Sequence, residues 1–362
     1  MRPALGRVCG GGRAFVFDID GVLLRGSAPL PGAREALLSL YRSATPFILL
    51  TNGGGELEAS KAARLSQLLD LPIHTSQVVL SHTPMRPLCA ALGAASARVL
   101  VLGCKNVVQV ARSYGLEKVD TPQCLLHDTP ALYPFLPVAT PRRLPEAHRE
   151  QPFAAVLVLH DPNSWGLELQ VALDVLRGGS PLGSGTLQAV PYYASNPDLT
   201  FAGAYEGAPR LAGGAFTTAL RAMWEATHPA GGALTTTFFG KPTRATFEYA
   251  RRALGAWAAA AEASGWHARV AASPSAALRE EEARGLAQLA GAPGAGASLA
   301  FERIAMVGDN PKADIAGANA AGAPWVSALV RTGVWRGEAL AGLEAPSASY
   351  AGVAEAVRAQ LA

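Results

Sequence analysis

Short, continuous apolar runs alternate along the chain with longer stretches in which apolar residues recur at helical spacing. The first run, Phe15-Val16-Phe17, leads into Asp18-Ile19-Asp20-Gly21-Val22-Leu23, and a helix is predicted near Ala33–Tyr41 after a turn at Pro29–Pro31. The second, Pro46–Leu50, ends in Thr51-Asn52-Gly53-Gly54-Gly55, and Leu57, Ala62, Leu65, Leu68 and Leu69 then predict a helix over about Leu57–Asp70. Strands that are apolar throughout and alternate with helices indicate a parallel sheet covered on both faces, so an α/β, doubly wound core is expected.

From about Ala94 to Pro209 a separate block repeats the pattern. It has strands at Arg98–Gly103 and Ala154–Leu159, helices at Val107–Tyr114 and Trp165–Leu176, and a proline-rich irregular stretch over Asp120–Gln151. The block reads as a second α/β domain inserted into the first, dividing the chain into 1–93, 94–209 and 210–362. Beyond it a helix is predicted over Gly213–Thr227. A strand over Thr235–Phe239 then ends in Gly240-Lys241-Pro242, and a helix follows over Thr243–Ala261. Residues 262–300, rich in Ala, Gly, Pro and Ser, are expected to form a surface insertion, partly helical and otherwise mobile. The strand Ile304–Val307 ends in Gly308-Asp309-Asn310, and a helix near Pro311–Ala321, a strand at Trp325–Val330 and a helix near Tyr350–Leu361 close the chain.

Composition narrows the class. With 362 residues, 49% hydrophobic and 16% charged, the chain can bury two cores and is not of disordered composition. Its net charge of +3 is mild and no Lys/Arg cluster concentrates it, which argues against a nucleic-acid partner. No apolar run approaches the roughly 20 residues that span a bilayer, so no integral membrane segment is expected. Cys9, Cys89, Cys104 and Cys124 form no Cys-x-x-Cys pair and read as reduced structural thiols. The opening carries Arg2, Arg7 and Arg13 with no acidic residue before Asp18, as organellar transit peptides do, which leaves a mitochondrial or a cytoplasmic location open.

Four strands end in polar groups of complementary type: Asp18 and Asp20, Thr51 and Asn52, Lys241, and Asp309 with Asp314. Singly, each has a plainer explanation as an acidic turn, a helix cap, a solvated lysine or a first-turn aspartate. A calcium loop beginning at Asp18 fails, because Val22 and Pro29 stand where oxygen ligands are needed. Together the four make a consistent phosphoryl-transfer site. Carboxylates supply hard oxygen ligands for Mg2+, one of them can serve as nucleophile, and a lysine offsets the charge of the incoming phosphate.

The strings Asp18-Ile19-Asp20-Gly21-Val22, Thr51-Asn52, Lys241-Pro242 and Gly308-Asp309-Asn310 with Asp314 resemble the four motifs of the haloacid dehalogenase-like (HAD) phosphatases. The inserted block resembles the type-two (C2) cap of class IIA, the group related to the bacterial nucleotidase NagD. Asp161-Pro162-Asn163-Ser164-Trp165 and Ser195-Asn196-Pro197-Asp198-Leu199 are similar to strings of the cat eye syndrome critical region protein branch. The resemblance implies a Rossmann-like core and a Mg2+-dependent phosphatase acting on a small phosphorylated metabolite. Asp18 would be nucleophile and metal ligand, and Asp20 the general acid/base, touching the metal through its carbonyl. Thr51, Asn52, Gly53 and Lys241 would hold the phosphoryl group, and Asp309 would complete the metal site. Asp314 would hold either Lys241 or a metal-bound water. Asp161, Trp165, Asn196 and Asp198 are the cap's candidate substrate contacts, although Trp165 equally fits a core anchor. The resemblance also allows a homodimer through the cap, a mitochondrial location with a link to glycerophospholipids, and a catalytically idle binding or assembly protein.

Overall fold

The structure, a computed structural model, describes residues 12–136, 151–201, 209–228, 231–284 and 301–362. The chain divides into two compact units. The first is drawn from Met1–Thr51, Glu58–Leu80 and Lys241–Ala362, and the second from Asn52–Leu57 and Ser81–Gly240.

The first unit is built on a parallel sheet of β1 (Arg13–Phe17), β4 (Phe47–Leu50), β5 (Val78–Val79), β13 (Arg303–Gly308), β14 (Trp325–Val330) and β15 (Ala348–Tyr350), in the order β15-β14-β13-β1-β4-β5. Phe17 stands opposite Val307 on one side and Leu49 on the other. Except for Arg13 and Arg303 at their starts, β1, β4 and β13 are buried throughout, which is why they read as unbroken apolar runs. From β1 the sheet grows one way through β4 and β5, whereas the returning chain adds β13, β14 and β15 on the other side. The direction reverses between β1 and β13, and open α/β sheets bind ligands beyond the carboxyl ends of strands at such a point. A short hairpin, β2 (Leu24–Arg25) with β3 (Ala28–Pro29), follows β1.

The helix Arg244–Ala263 buries Phe247, Ala250, Leu254, Trp257, Ala258 and Ala261, a stripe at helical period, in the core of this unit. The expected insertion does not begin where this helix ends. A further helix, Trp266–Ala272, puts Trp266 and Val270 into the same core, with Trp266 edge-on to Trp257 at 5.8 Å, and another spans Pro274–Arg284. Residues 285–300 lie outside the described residues.

The second unit has its own parallel sheet of β6 (Arg98–Leu102), β7 (Lys118–Asp120), β8 (Phe153–Val158), β9 (Tyr192–Ala194) and β12 (Thr236–Phe238), in the order β12-β9-β8-β6-β7. A two-stranded ribbon, β10 (Thr200–Phe201) with β11 (Arg210–Leu211), accompanies it. The expected domain limits at 94 and 209 differ from this division. The helix Gly213–Thr227 buries Phe216, Leu220 and Trp224 in the apolar cluster of the second unit, and β12 pairs with β9. The sequence pattern alone assigns both to the core domain. Sequence periodicity identifies an element but not the neighbour on which it packs.

Candidate active site

The site of the first unit is assembled at the carboxyl ends of β1 and β13. Asp18 directly follows β1, its N–H donating to the Val307 carbonyl at 2.9 Å, and its residue is buried. Lys241 is buried as well. Its ammonium donates to Asp18 Oδ1 at 2.5 Å and to the Leu50 carbonyl at 2.8 Å, and pairs with Asp314 Oδ1 at 2.7 Å. The lysine is not carried by a strand of this sheet: it stands where the chain re-enters the unit, just before the helix Arg244–Ala263. Asp314 is placed by the turn after β13. Asn310 Oδ1 accepts the N–H groups of Lys312 and Ala313, the backbone makes a wide π-helical turn over Pro311–Ile315, and Asp314 Oδ2 accepts the Asn310 N–H at 3.0 Å. Gly308 is required beneath it, because a Cβ there would stand 2.2 Å from the Cβ of Asp314.

Asp309 completes the group. Carboxylate oxygens of Asp18, Asp309 and Asp314 all lie within 4.8 Å of one another. Three carboxylates against one lysine leave a buried net charge of minus two when all are ionised, and this shows in the proton affinities of Asp18 and Asp309. Burial pushes the Asp18 carboxyl well above its usual range; Lys241 opposes the shift, and Asp314, Asp309 and Asp20 add to it. Asp309 is raised to about 7, first by burial and then by Asp314, against the Val334 N–H and Lys241. Burial disfavours the Lys241 ammonium, but Asp18 and Asp314 outweigh it and hold the group charged above its ordinary range. An all-oxygen donor set with an excess of two negative charges fits a hard divalent cation such as Mg2+.

Of the expected residues, Asp18, Lys241, Asp309 and Asp314 are therefore brought together. Thr51, buried, follows β4, its N–H donating to the Val79 carbonyl at 3.1 Å. Asp20 is exposed, and its carboxylate is not part of the acidic cluster. A contributor the sequence reading missed is the loop after β14. The Val334 N–H donates to Asp309 Oδ2 at 2.7 Å, and a Cβ on Gly333 would fall 1.7 Å from that oxygen. Its signal was available, since Arg331-Thr332-Gly333 ends a buried strand as the other motifs do.

The remaining candidates belong to the second unit, which the chain enters between Thr51 and Asn52. Asn52 Nδ2 donates to Asp198 Oδ2 at 2.9 Å, and the Asp198 N–H donates to Asn196 Oδ1 at 3.0 Å. Asn196 Nδ2 and the Gly213 N–H both donate to Asp161 Oδ1, at 3.1 and 2.8 Å. Asn52, Asp161, Asn196 and Asp198 thus form one hydrogen-bonded chain. Trp165 stands apart from it: its ring meets Phe216 edge-on at 5.6 Å and packs on the unit's apolar cluster, while its N–H donates to the Pro162 carbonyl.

The chain also resembles known proteins. A family model for haloacid dehalogenase-like hydrolases matches residues 15–117, and a second, HAD-hydrolase-like, matches residues 238–358. The chain is 32% identical over 335 residues to a mitochondrial hydrolase of Saccharomyces cerevisiae, covering 89% of this chain and 88% of that protein. It is also 32% identical to a cardiolipin synthase (CMP-forming)/mitochondrial hydrolase fusion protein of Schizosaccharomyces pombe, covering 90% of this chain and 49% of the fusion. Among solved structures, the glycerol phosphate phosphatase of Mycobacterium tuberculosis in complex with magnesium shares the fold, with a TM-score of 0.56 and 19% identity over 98% of this chain and 79% of that one.

Proposed function

Because the chain belongs to the haloacid dehalogenase-like hydrolases, we propose that it is a Mg2+-dependent phosphatase that hydrolyses a small phosphomonoester through an aspartyl-phosphate. The observation that carries this reading is the buried quartet of Asp18, Lys241, Asp309 and Asp314. Lys241 engages Asp18 through Oδ1, which leaves Oδ2 to attack phosphorus. That step forms the Oδ2–P bond as the P–O bond to the alcohol breaks, and Asp20, exposed and outside the cluster, gives the leaving oxygen its proton. Asp20 then takes a proton from water, which attacks the phosphorus of the acyl phosphate, releasing inorganic phosphate and restoring Asp18. Thr51, Asn52 and Gly53 serve as donors to the phosphoryl oxygens. Asp18, Asp309 and the Asp20 carbonyl would hold Mg2+, which supplies charge neutralisation at the transferring phosphoryl group.

For the alcohol we propose a glycerol-bearing group, with Asp161, Asn196 and Asp198 as its candidate contacts. The glycerol phosphate phosphatase that shares the fold and the fusion of one relative to a cardiolipin synthase support this, and the two fungal relatives' names support a mitochondrial location. Turnover of p-nitrophenyl phosphate with Mg2+, and its loss in Asp18→Asn, tests the chemistry. An inactive wild type, or an undiminished variant, overturns it.

A further inference from the structure

The turn that carries Asp20 is held at several points, and not all of the bonds are its own. Gly21, at φ 88, donates its N–H to the Leu24 carbonyl at 2.7 Å, closing the turn from within and setting the plane of the Asp20–Gly21 peptide. The Gly21 carbonyl accepts the Thr332 hydroxyl at 2.5 Å, across 311 residues of chain. The Thr332 carbonyl in turn accepts Arg25 Nη2 at 2.8 Å, from the hairpin β2–β3. Close packing accompanies these bonds, since a Cβ on Gly21 would stand 2.5 Å from Asp309 Oδ2 and 2.9 Å from the Gly333 Cα.

We propose that Thr332 is a positioning residue: its hydroxyl and carbonyl strap the Asp20 turn and the hairpin behind it to the loop after β14, so that the Asp20 carboxyl is aimed at the leaving oxygen. This rests on the reading of Asp20 as acid/base. Asp20 is exposed, so burial does not fix it. The backbone from which it projects is fixed on the far side by one hydroxyl that nothing in the chemistry otherwise uses. Val334, two residues on, holds Asp309 through its N–H, so a single loop orients both the acid/base turn and a carboxylate of the cluster.

Misaiming a general acid has a signature that a loss of fold does not. A poor leaving group needs its proton in the transition state, and a good one barely does. The test compares p-nitrophenyl phosphate with phenyl phosphate, which differ little in shape and strongly in leaving-group acidity, using the full chain with Mg2+. Thr332→Val, which keeps the shape and removes the hydroxyl, is expected to lower kcat on phenyl phosphate about tenfold and on p-nitrophenyl phosphate less than about twofold, a part of the 10²–10⁴ that acid–base help contributes. KM should change little, and Thr332→Ser should restore both rates. In the metal-free protein, amide exchange across residues 19–25 should quicken in the valine variant and not in the serine variant. Should Thr332→Val fail to fold, Arg25→Met, which removes the other bond of the strap, is expected to show the same selective loss. Equal losses on the two esters, unchanged rates, or unaltered exchange overturn the strap. A wild type that hydrolyses neither ester overturns the phosphatase reading instead, and the exchange measurement still decides the strap.

Discussion

Asp309→Asn is expected to stabilise the metal-free protein at neutral pH while abolishing turnover. Asparagine keeps the shape and an oxygen to accept the Val334 N–H, so the substitution removes charge and little else. The folded carboxyl has its pKa at about 7 against an ordinary 3.8, so between those values it holds a proton that the unfolded chain has released. The stability due to this proton is fully present below the unfolded value and is lost as pH rises through the folded one. At 1.36 kcal/mol per unit, an ionised Asp309 costs the metal-free fold on the order of 4 kcal/mol near pH 8, and the raised Asp18 adds to the loss in the same direction. Urea unfolding in chelator from about pH 5 to about pH 8, followed by amide exchange of β1 and β13, reads the first unit by itself. Wild-type stability should fall across the window, and the variant should exceed wild type at its upper end. Mg2+ should narrow the gap by about 2.7 kcal/mol at 100 times its Kd and close it only near 1,000 times its Kd, where the gain is about 4.1 kcal/mol. A wild type whose stability stays flat with pH in chelator, or a variant no more stable than wild type near pH 8, refutes the account of the site as a buried excess of negative charge.

Gly333→Ala places a Cβ 1.7 Å from Asp309 Oδ2, so either the carboxylate or the loop must move; Mg2+ affinity by calorimetry and kcat are each expected to fall about tenfold or more. Lys241→Met leaves Asp18 and Asp314 buried without their cation and should destabilise the chelated protein by about 3–5 kcal/mol at neutral pH, with a smaller loss in acid where the carboxylates take up protons; chemical denaturation at the two pH values reads the difference.

The parts of the fold legible in the sequence are those whose burial is complete. β1, β4 and β13 are enclosed on both faces, so their sequences are unbroken apolar runs, and the polar residue ending each run marks the crevice. Asp18, Thr51 and Asp309 could be picked out for that reason. Sheet membership was not legible for β12: Thr236-Thr237-Phe238 reads as a strand, but only its pairing with Tyr192–Ala194 assigns it to the second unit. The expected partly helical character of the segment after Ala263 is present, but its packing was not legible, because alanine, glycine and serine serve a tight helix pair as well as a linker; Trp266 and Val270 are the apolar positions that argue for packing. The loop after β14 escaped for a different reason. Its contact with Asp309 is made by the main-chain N–H of Val334, and no side chain announces it.

The geometry also sharpens what the lysine does. The Lys241 ammonium donates to Asp18 Oδ1 and to the Leu50 carbonyl and is paired with Asp314 Oδ1. In the proposed reaction Lys241 would act by its field and by fixing Asp18, with Asp314 keeping the lysine from swinging away. The Leu50 carbonyl that accepts from this lysine ends β4, immediately before Thr51, so Asp18 and Thr51 are registered to each other through one side chain. That arrangement separates two tasks. Orientation of Asp18 depends on the lysine's fixed contacts within the first unit, whereas in the proposed chemistry the surplus negative charge would be left to a cation, the part of the site to be completed before phosphate approaches.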